Sequence, residues 1–83
     1  MIIQFYDRGS PRGKIFFENL DNLCQRLQIN RDPEYIQDLS RPISMGIQGR
    51  SILIINNDVV FVDKFPSASE LESILQDYQK DDY

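Results

Sequence analysis

Apolar side chains recur along this chain with two different periods, and the switches between them outline seven elements. Residues 2–6 (IIQFY) are β-branched and aromatic, and Asp7-Arg8-Gly9-Ser10-Pro11 stops them, which predicts a short buried strand. Residues 13–28 carry Phe16, Leu20, Leu23, Cys24 and Leu27 at i, i+4, i+7, i+8 and i+11, one face of a helix that Asn30 can end. Pro11 and Gly13 fall near its start, where the first N–H groups lack intrahelical partners and proline costs little. Residues 34–37 (EYIQ) read as a second strand, and Pro33 at its entry favours a sheet edge. In residues 39–47 the pattern predicts a short helix with Ser40 as N-cap, Pro42 in the first turn and Gly46 at the end.

The run at residues 51–56 (SILIIN) suits a central strand buried on both faces. Asn56-Asn57-Asp58 tolerates positive φ in a tight turn, and residues 59–63 (VVFVD) return as the antiparallel partner of a hairpin. Ser67-Ala68-Ser69-Glu70 has the spacing of a capping box, in which Ser67 and Glu70 each take the other's backbone N–H. Leu71, Ile74, Leu75 and Tyr78 form the apolar face of a last helix. The order is β-α-β-α-β-β-α. A helix long enough for a crossover joins the first two strands, so they are expected to be parallel with a right-handed connection. The expected fold class is α/β, a four-stranded mixed sheet with three helices, with residues 1–83 as a single domain.

Composition narrows the chemistry. Eighty-three residues, 41% hydrophobic and 27% charged, make one small globular domain. Nine Lys and Arg against thirteen Asp and Glu give a net charge of -4, a poor balance for wholesale nucleic-acid binding. One cysteine and no histidine exclude an intramolecular disulfide, a Cys/His zinc site, and the Ser-His-Asp and Cys-His catalytic arrangements. No wholly apolar run is longer than that of Ile52 to Ile55, far short of the ~18 residues of a membrane span. The start, MIIQFYDRG, lacks the basic n-region of a signal peptide, and the unpaired Cys24 suits a reducing interior. The expectation is a cytoplasmic protein that binds no membrane. The C-terminal QKDDY is expected to fray, and the acids Asp77, Asp81 and Asp82 read as a solvated tail.

The element order is that of a minimal thioredoxin fold, and the sequence resembles small archaeal and bacterial thioredoxin-like (glutaredoxin-like) proteins over nearly its whole length, most strongly from Tyr35 to Leu75. Gly46-Ile47 is similar to the glycine-aliphatic pair that closes their second helix. Ile52-Leu53-Ile54-Ile55-Asn56-Asn57-Asp58-Val59-Val60 resembles their strand-turn-strand segment, and Phe65-Pro66-Ser67-Ala68-Ser69-Glu70-Leu71 their entry to the last helix. Active members carry Cys-x-x-Cys after the first strand. Here those positions read Ser10-Pro11-Arg12-Gly13. The cis-proline that precedes their third strand is replaced by Ser51, behind Arg50. The resemblance therefore implies the fold and argues against oxidoreductase activity.

Thiol-disulfide chemistry needs a thiolate at a helix N-terminus and a second, resolving cysteine. Ser10 offers neither a thiolate nor a leaving sulfur, no histidine is present to activate it, and its ordinary role is an N-cap hydroxyl. Cys24 shares the Phe16, Leu20, Leu27 face and reads as a core residue; the alternative is a monothiol open to glutathione or to cross-linking. Arg8, Arg12 and Lys14 flank the first loop, and the fold brings Arg50 beside it, at the end where the first helix opens and where Gly9 and Gly13 allow close approach. Ser10, Pro11, Arg12, Gly13, Arg50 and Ser51 are thus the candidate site for an anion or a partner, against the plainer reading of solvated surface charge. No catalytic residue, metal ligand or cofactor is assigned. Phe17 lies off the main helical face, and Tyr35 and Phe61 are expected on the two edge strands. Two uses follow. One is a redox-inactive binding protein that meets another protein, or a second copy of itself through the Val59–Val62 edge. The other is a binder of glutathione or another small anion, or an oxidoreductase acting through the loop after the first strand.

Overall fold

Five consecutive buried residues, Ser51 to Ile55, form the central strand of a four-stranded sheet. The computed structural model describes residues 1–81. In chain order the elements are β1 (Ile3–Asp7), α1 (Pro11–Arg26), β2 (Glu34–Ile36), α2 (Ser40–Ser44), β3 (Ser51–Ile55), β4 (Asp58–Val62) and α3 (Ala68–Asp81). The strands lie in the order β2-β1-β3-β4. β1 and β2 are parallel, and the β1–β3 and β3–β4 pairs are antiparallel. The α/β class, the mixed sheet and the three helices are those the hydropathy pattern predicts. The two edge strands are β2 and β4, which carry Tyr35 and Phe61.

Strand alternation sorts side chains into two layers. Ile3, Phe5, Leu53 and Ile55 pack with Phe16, Leu20, Leu23 and Cys24 of α1 and Leu71 and Leu75 of α3. Tyr6, Ile52 and Ile54 face the other way and pack with Leu39, at the start of α2. Phe17, off the main stripe of α1, is half-buried and stacks on Tyr35 with ring centroids 5.1 Å apart. Arg41 fastens α2 to the sheet: one guanidinium nitrogen donates to Gln4 Oε1 at 2.8 Å, the other to Asn57 Oδ1 at 2.6 Å.

Several element ends differ from the sequence reading. α1 begins at Pro11, two residues early, because Ser10 caps it with its hydroxyl accepting from the Gly13 N–H. Ser40 is the first residue of α2 rather than its N-cap; its N–H and its hydroxyl both donate to Asp38 Oδ1. At α3 the Glu70 N–H donates to Ser67 Oγ as a capping box requires, but the Glu70 carboxylate accepts from the Ser67 hydroxyl instead of its amide. Asn56 and Asn57 both have positive φ, 50° and 69°, the requirement of the tight hairpin turn. A bulge follows: Leu53 pairs with Phe61 but Ile54 with Val59, so Val60 is the extra residue and β4 twists at the edge. α3 continues through the first part of the segment expected to fray, while Asp82 and Tyr83 lie outside the described residues. Among the described residues no helix is long and apolar enough to cross a membrane.

Candidate functional site

The last residue of β1 is an acid on the core face. Asp7 follows Ile3 and Phe5 at the two-residue period of a strand, so its side chain enters the layer beneath α1 and is only 1% exposed. A buried carboxylate needs donors, and the surrounding elements supply them. Ser51, its partner in the β1–β3 register, donates its hydroxyl to Oδ1 at 2.7 Å. Tyr35 on β2 donates to Oδ2 at 2.8 Å. The N–H groups of Gly9 and Ser10 donate to Oδ2 at 3.0 and 2.9 Å, and the Ser10 hydroxyl lies 3.0 Å from Oδ1. Burial pulls this carboxyl upward, but the bonds from Ser51, Tyr35, Ser10 and the Gly9 amide outweigh it and hold it below its ordinary value. The same pairing, added to burial, pushes the Tyr35 phenol up to about 12.

Asp7 therefore occupies the anion position of α1. Pro11 brings no N–H, the Gly13 amide goes to Ser10 Oγ, the Lys14 amide to the Ser10 carbonyl, and the Gly9 and Ser10 amides to Asp7. Gly13 is buried, and a Cβ there would overlap the Asp7 carboxylate. Its missing side chain admits this internal carboxylate to the helix.

Above Asp7 an open cleft of about 760 Å³ lies between the loop after β1, the start of α2 and the segments flanking β3 and β4. Of the six residues singled out by sequence, Ser10, Arg12, Arg50 and Ser51 line it, while Pro11 and Gly13 do not. Arg8 joins them as expected, whereas Lys14 stays outside. Arg12 is held with its Cζ 4.6 Å from the centre of the Phe65 ring, a cation–π arrangement. Leu39, Ile43 and Phe65 are the apolar residues of the lining, Leu39 packed with the Tyr6, Ile52 and Ile54 layer and Phe65 with Phe5 and Phe16, and Ile43 is 61% exposed.

Asp63 closes the far side. Its Oδ1 accepts the Arg50 N–H at 2.7 Å and the Ser51 N–H at 2.9 Å, and these two bonds hold its carboxyl below the ordinary value. Ser51 thus occupies its position with three polar commitments: its amide to Asp63, its carbonyl to the Asp63 N–H, and its hydroxyl to Asp7. No peptide bond among the described residues is cis.

Sequence reasoning missed Asp7, Tyr35 and Asp63. Asp7 had a readable signal: it continues the inward alternation of Ile3 and Phe5, and Ser51 likewise continues that of Leu53 and Ile55. Tyr35 was legible as an edge aromatic, and its hydroxyl contact needed the parallel β1–β2 register. Cys24 lies 2% exposed in the core, where burial pushes its thiol up to about 11. The chain matches no protein-family model, no curated protein and no solved structure.

Proposed function

We propose that this protein is a thioredoxin-like binding domain that has no redox chemistry and docks another protein at the cleft above Asp7. The observation that carries the reading is the occupant of the α1 N-terminus. Where thiol chemistry needs a thiolate, this chain has a buried carboxylate bonded to Ser10, Ser51 and Tyr35. The single thiol, Cys24, lies buried in the core and is held protonated, which speaks against a monothiol function. The cleft nevertheless stays open, with three arginines and a largely exposed isoleucine in its lining, and such a mixed surface suits a protein partner. A soluble cytoplasmic protein of this kind would need neither a cofactor nor a membrane.

A second reading, a binder of glutathione or another small anion, has Arg8, Arg12 and Arg50 in its favour. Of the amides around the start of α1, those of Gly9 and Ser10 go to Asp7 and that of Gly13 to Ser10 Oγ, so the guanidinium groups would carry most of the hold on the anion. Dimerisation through β4 is a third use, and the bulge at Val60 works against it by twisting that edge.

Affinity capture with matched variants tests the reading. A partner held by the wild-type protein should be released by Ile43→Asp combined with Arg50→Glu and kept by Val59→Asp, which alters only the β4 edge. Capture unaffected by the cleft variant would refute cleft docking. Loss with Val59→Asp alone, together with a concentration-dependent dimer in sedimentation, would support the edge instead. Turnover in a disulfide-reduction assay with dithiothreitol would overturn the redox-inactive assignment.

A further inference from the structure

Resting on the reading of the cleft as a docking surface, we infer that the segment it takes is both acidic and aliphatic: a short peptide stretch that sets carboxylates against Arg8, Arg12 and Arg50 and an aliphatic side chain against Leu39, Ile43 and Phe65. Charge is segregated on this molecule. The chain carries -4 overall, yet three of its nine cations line one cleft. The two acids in the same lining, Asp7 and Asp63, stay ionised, so three arginines against two acids leave the cleft one charge positive on an acidic chain. Asp7 is buried under its hydroxyl and amide donors, and Asp63 Oδ1 receives two backbone N–H groups. Among the described residues, the ion pair that is formed, Arg26 to Glu72 at 3.1 Å, joins α1 to α3 and draws nothing from the cleft. Among the described residues no ion pair or hydrogen bond joins these three guanidinium groups to a carboxylate, although the charge of Arg50 helps to keep Asp63 ionised.

The apolar half of the cleft separates this occupant from a simple ion. Ile43 stands 61% exposed one helical turn from Leu39, and Phe65 is covered on one face by Arg12, which fixes a cation beside one of the apolar side chains of the lining. An inorganic anion would satisfy the arginines and leave these apolar side chains in water. A ligand with both groups covers the exposed Ile43 and offers the planar guanidinium groups carboxylates to meet in bidentate fashion. A nucleic acid would present phosphates well beyond the cleft to an acidic surface, and the net charge opposes it. Because the arginines are exposed, each pair contributes little alone, so the charge requirement should read as about a tenfold effect spread over the three, with marked sensitivity to salt.

The test is an amide NMR titration of the whole chain at low salt with four probes: the blocked peptide Ac-Glu-Leu-Glu-Leu-NH2, its Gln-Leu-Gln-Leu counterpart, glutathione, and inorganic phosphate. The acidic peptide is expected to shift Arg8, Ser10, Arg12, Ile43 and Gly49 through Ser51. The glutamine peptide should bind about tenfold more weakly. Arg12→Ala and Arg50→Ala should each weaken the acidic peptide, and Ile43→Ala should weaken both peptides. These side chains are exposed, and a well-dispersed spectrum verifies that each variant folds. Equal binding of the two peptides at the cleft would overturn the acidic requirement while leaving cleft docking standing. Phosphate or glutathione shifting the same residues as strongly as the acidic peptide would overturn the aliphatic requirement and favour an anion site. No cleft shift with any probe at millimolar concentration would overturn the inference, and the capture experiment with the cleft variants would then decide docking separately.

Discussion

Asp7 and Ser51 face each other across the β1–β3 pair, and the Ser51 hydroxyl donates to the buried Asp7 carboxylate at 2.7 Å. The bond links the end of β1 to the start of β3 at the same place where α1 begins and β2 contributes Tyr35. One carboxylate thus holds three strands and a helix terminus together. Helix N-termini favour negative charge, and here that charge is part of the fold.

Gly13→Ala is expected to destabilise the protein by about 1–3 kcal/mol, as overpacking does. On helix propensity alone the change would gain up to about 1 kcal/mol. The sign reverses because the added Cβ overlaps the Asp7 carboxylate. The same substitution in an Asp7→Ala background should be neutral or stabilising, and urea unfolding of the four proteins measures that coupling. Additive effects would show that the contact does not limit the helix.

Stability should fall on acidification, with Asp7 responsible for a separable part. Its folded carboxyl titrates below the ordinary value of 3.8, so folding is favoured by its ionised form. The contribution is complete above the unfolded value and is lost as pH drops through the lower, folded one. Asp38, bonded to Ser40, and Asp63, bonded to the Arg50 and Ser51 amides, share the same direction. Asp7→Asn therefore flattens the acid limb without abolishing it. At neutral pH it costs about 1–3 kcal/mol, because its NH2 group meets donors where the carboxylate accepted. Urea midpoints at pH 7 and pH 3.5 for both proteins provide the comparison, and parallel acid limbs would exclude Asp7 as a contributor.

Tyr35 reports on the same carboxylate from the other side. Burial, the hydrogen bond to Asp7 and the charge of Asp7 together push its phenol up to about 12. With ring-carbon labelling, its resonance should remain that of a protonated phenol at about pH 11, a unit above the usual midpoint. In Asp7→Asn the charge vanishes while an amide oxygen can still accept from Tyr35, and the resonance should move part of the way toward the ionised position at that pH. An unchanged Tyr35 in the variant would mean that the charge of Asp7 does not set its titration.

The strand and helix pattern carried the fold well because each element declares itself locally. Ile52 to Ile55 suits a two-sided strand, and the Phe16, Leu20, Leu23, Cys24 stripe suits the core-facing side of a helix. Ends were harder, since a cap is a matter of which oxygen reaches which amide. Asp38 rather than Ser40 supplies the acceptor at α2, a choice between neighbouring polar residues. The candidate site was legible as a place and less so as a mechanism. Ser10, Arg12, Arg50 and Ser51 were found through charge and loop position. In the sequence Asp7 reads as the residue that ends a strand, because an acid normally marks the exit from a core. Its inward direction depends on partners 28 and 44 residues away, Tyr35 and Ser51, and no local pattern announces them.

Cys24 provides the last prediction. It is 2% exposed among Phe16, Leu20 and Leu23 of its own helix and the α3 leucines, and burial, with the charges of Asp21 and Asp32, pushes its thiol up to about 11. Both access and thiolate fraction then oppose reaction. A maleimide or disulfide reagent at pH 7.5 should label the native protein only at the rate of opening, and at once in urea. The raised value also sets a sign: the unfolded thiol ionises first as pH climbs above its ordinary value of 9.0, so this group's contribution to stability declines from there until the folded thiol ionises near 11. Cys24→Ser places a hydroxyl in the same apolar site at a cost of about 1–3 kcal/mol, whereas Cys24→Ala leaves no polar group there; both remove the thiol's share of the alkaline decline and leave that of Tyr35. Immediate stoichiometric labelling of the folded chain would return Cys24 to consideration as a working thiol.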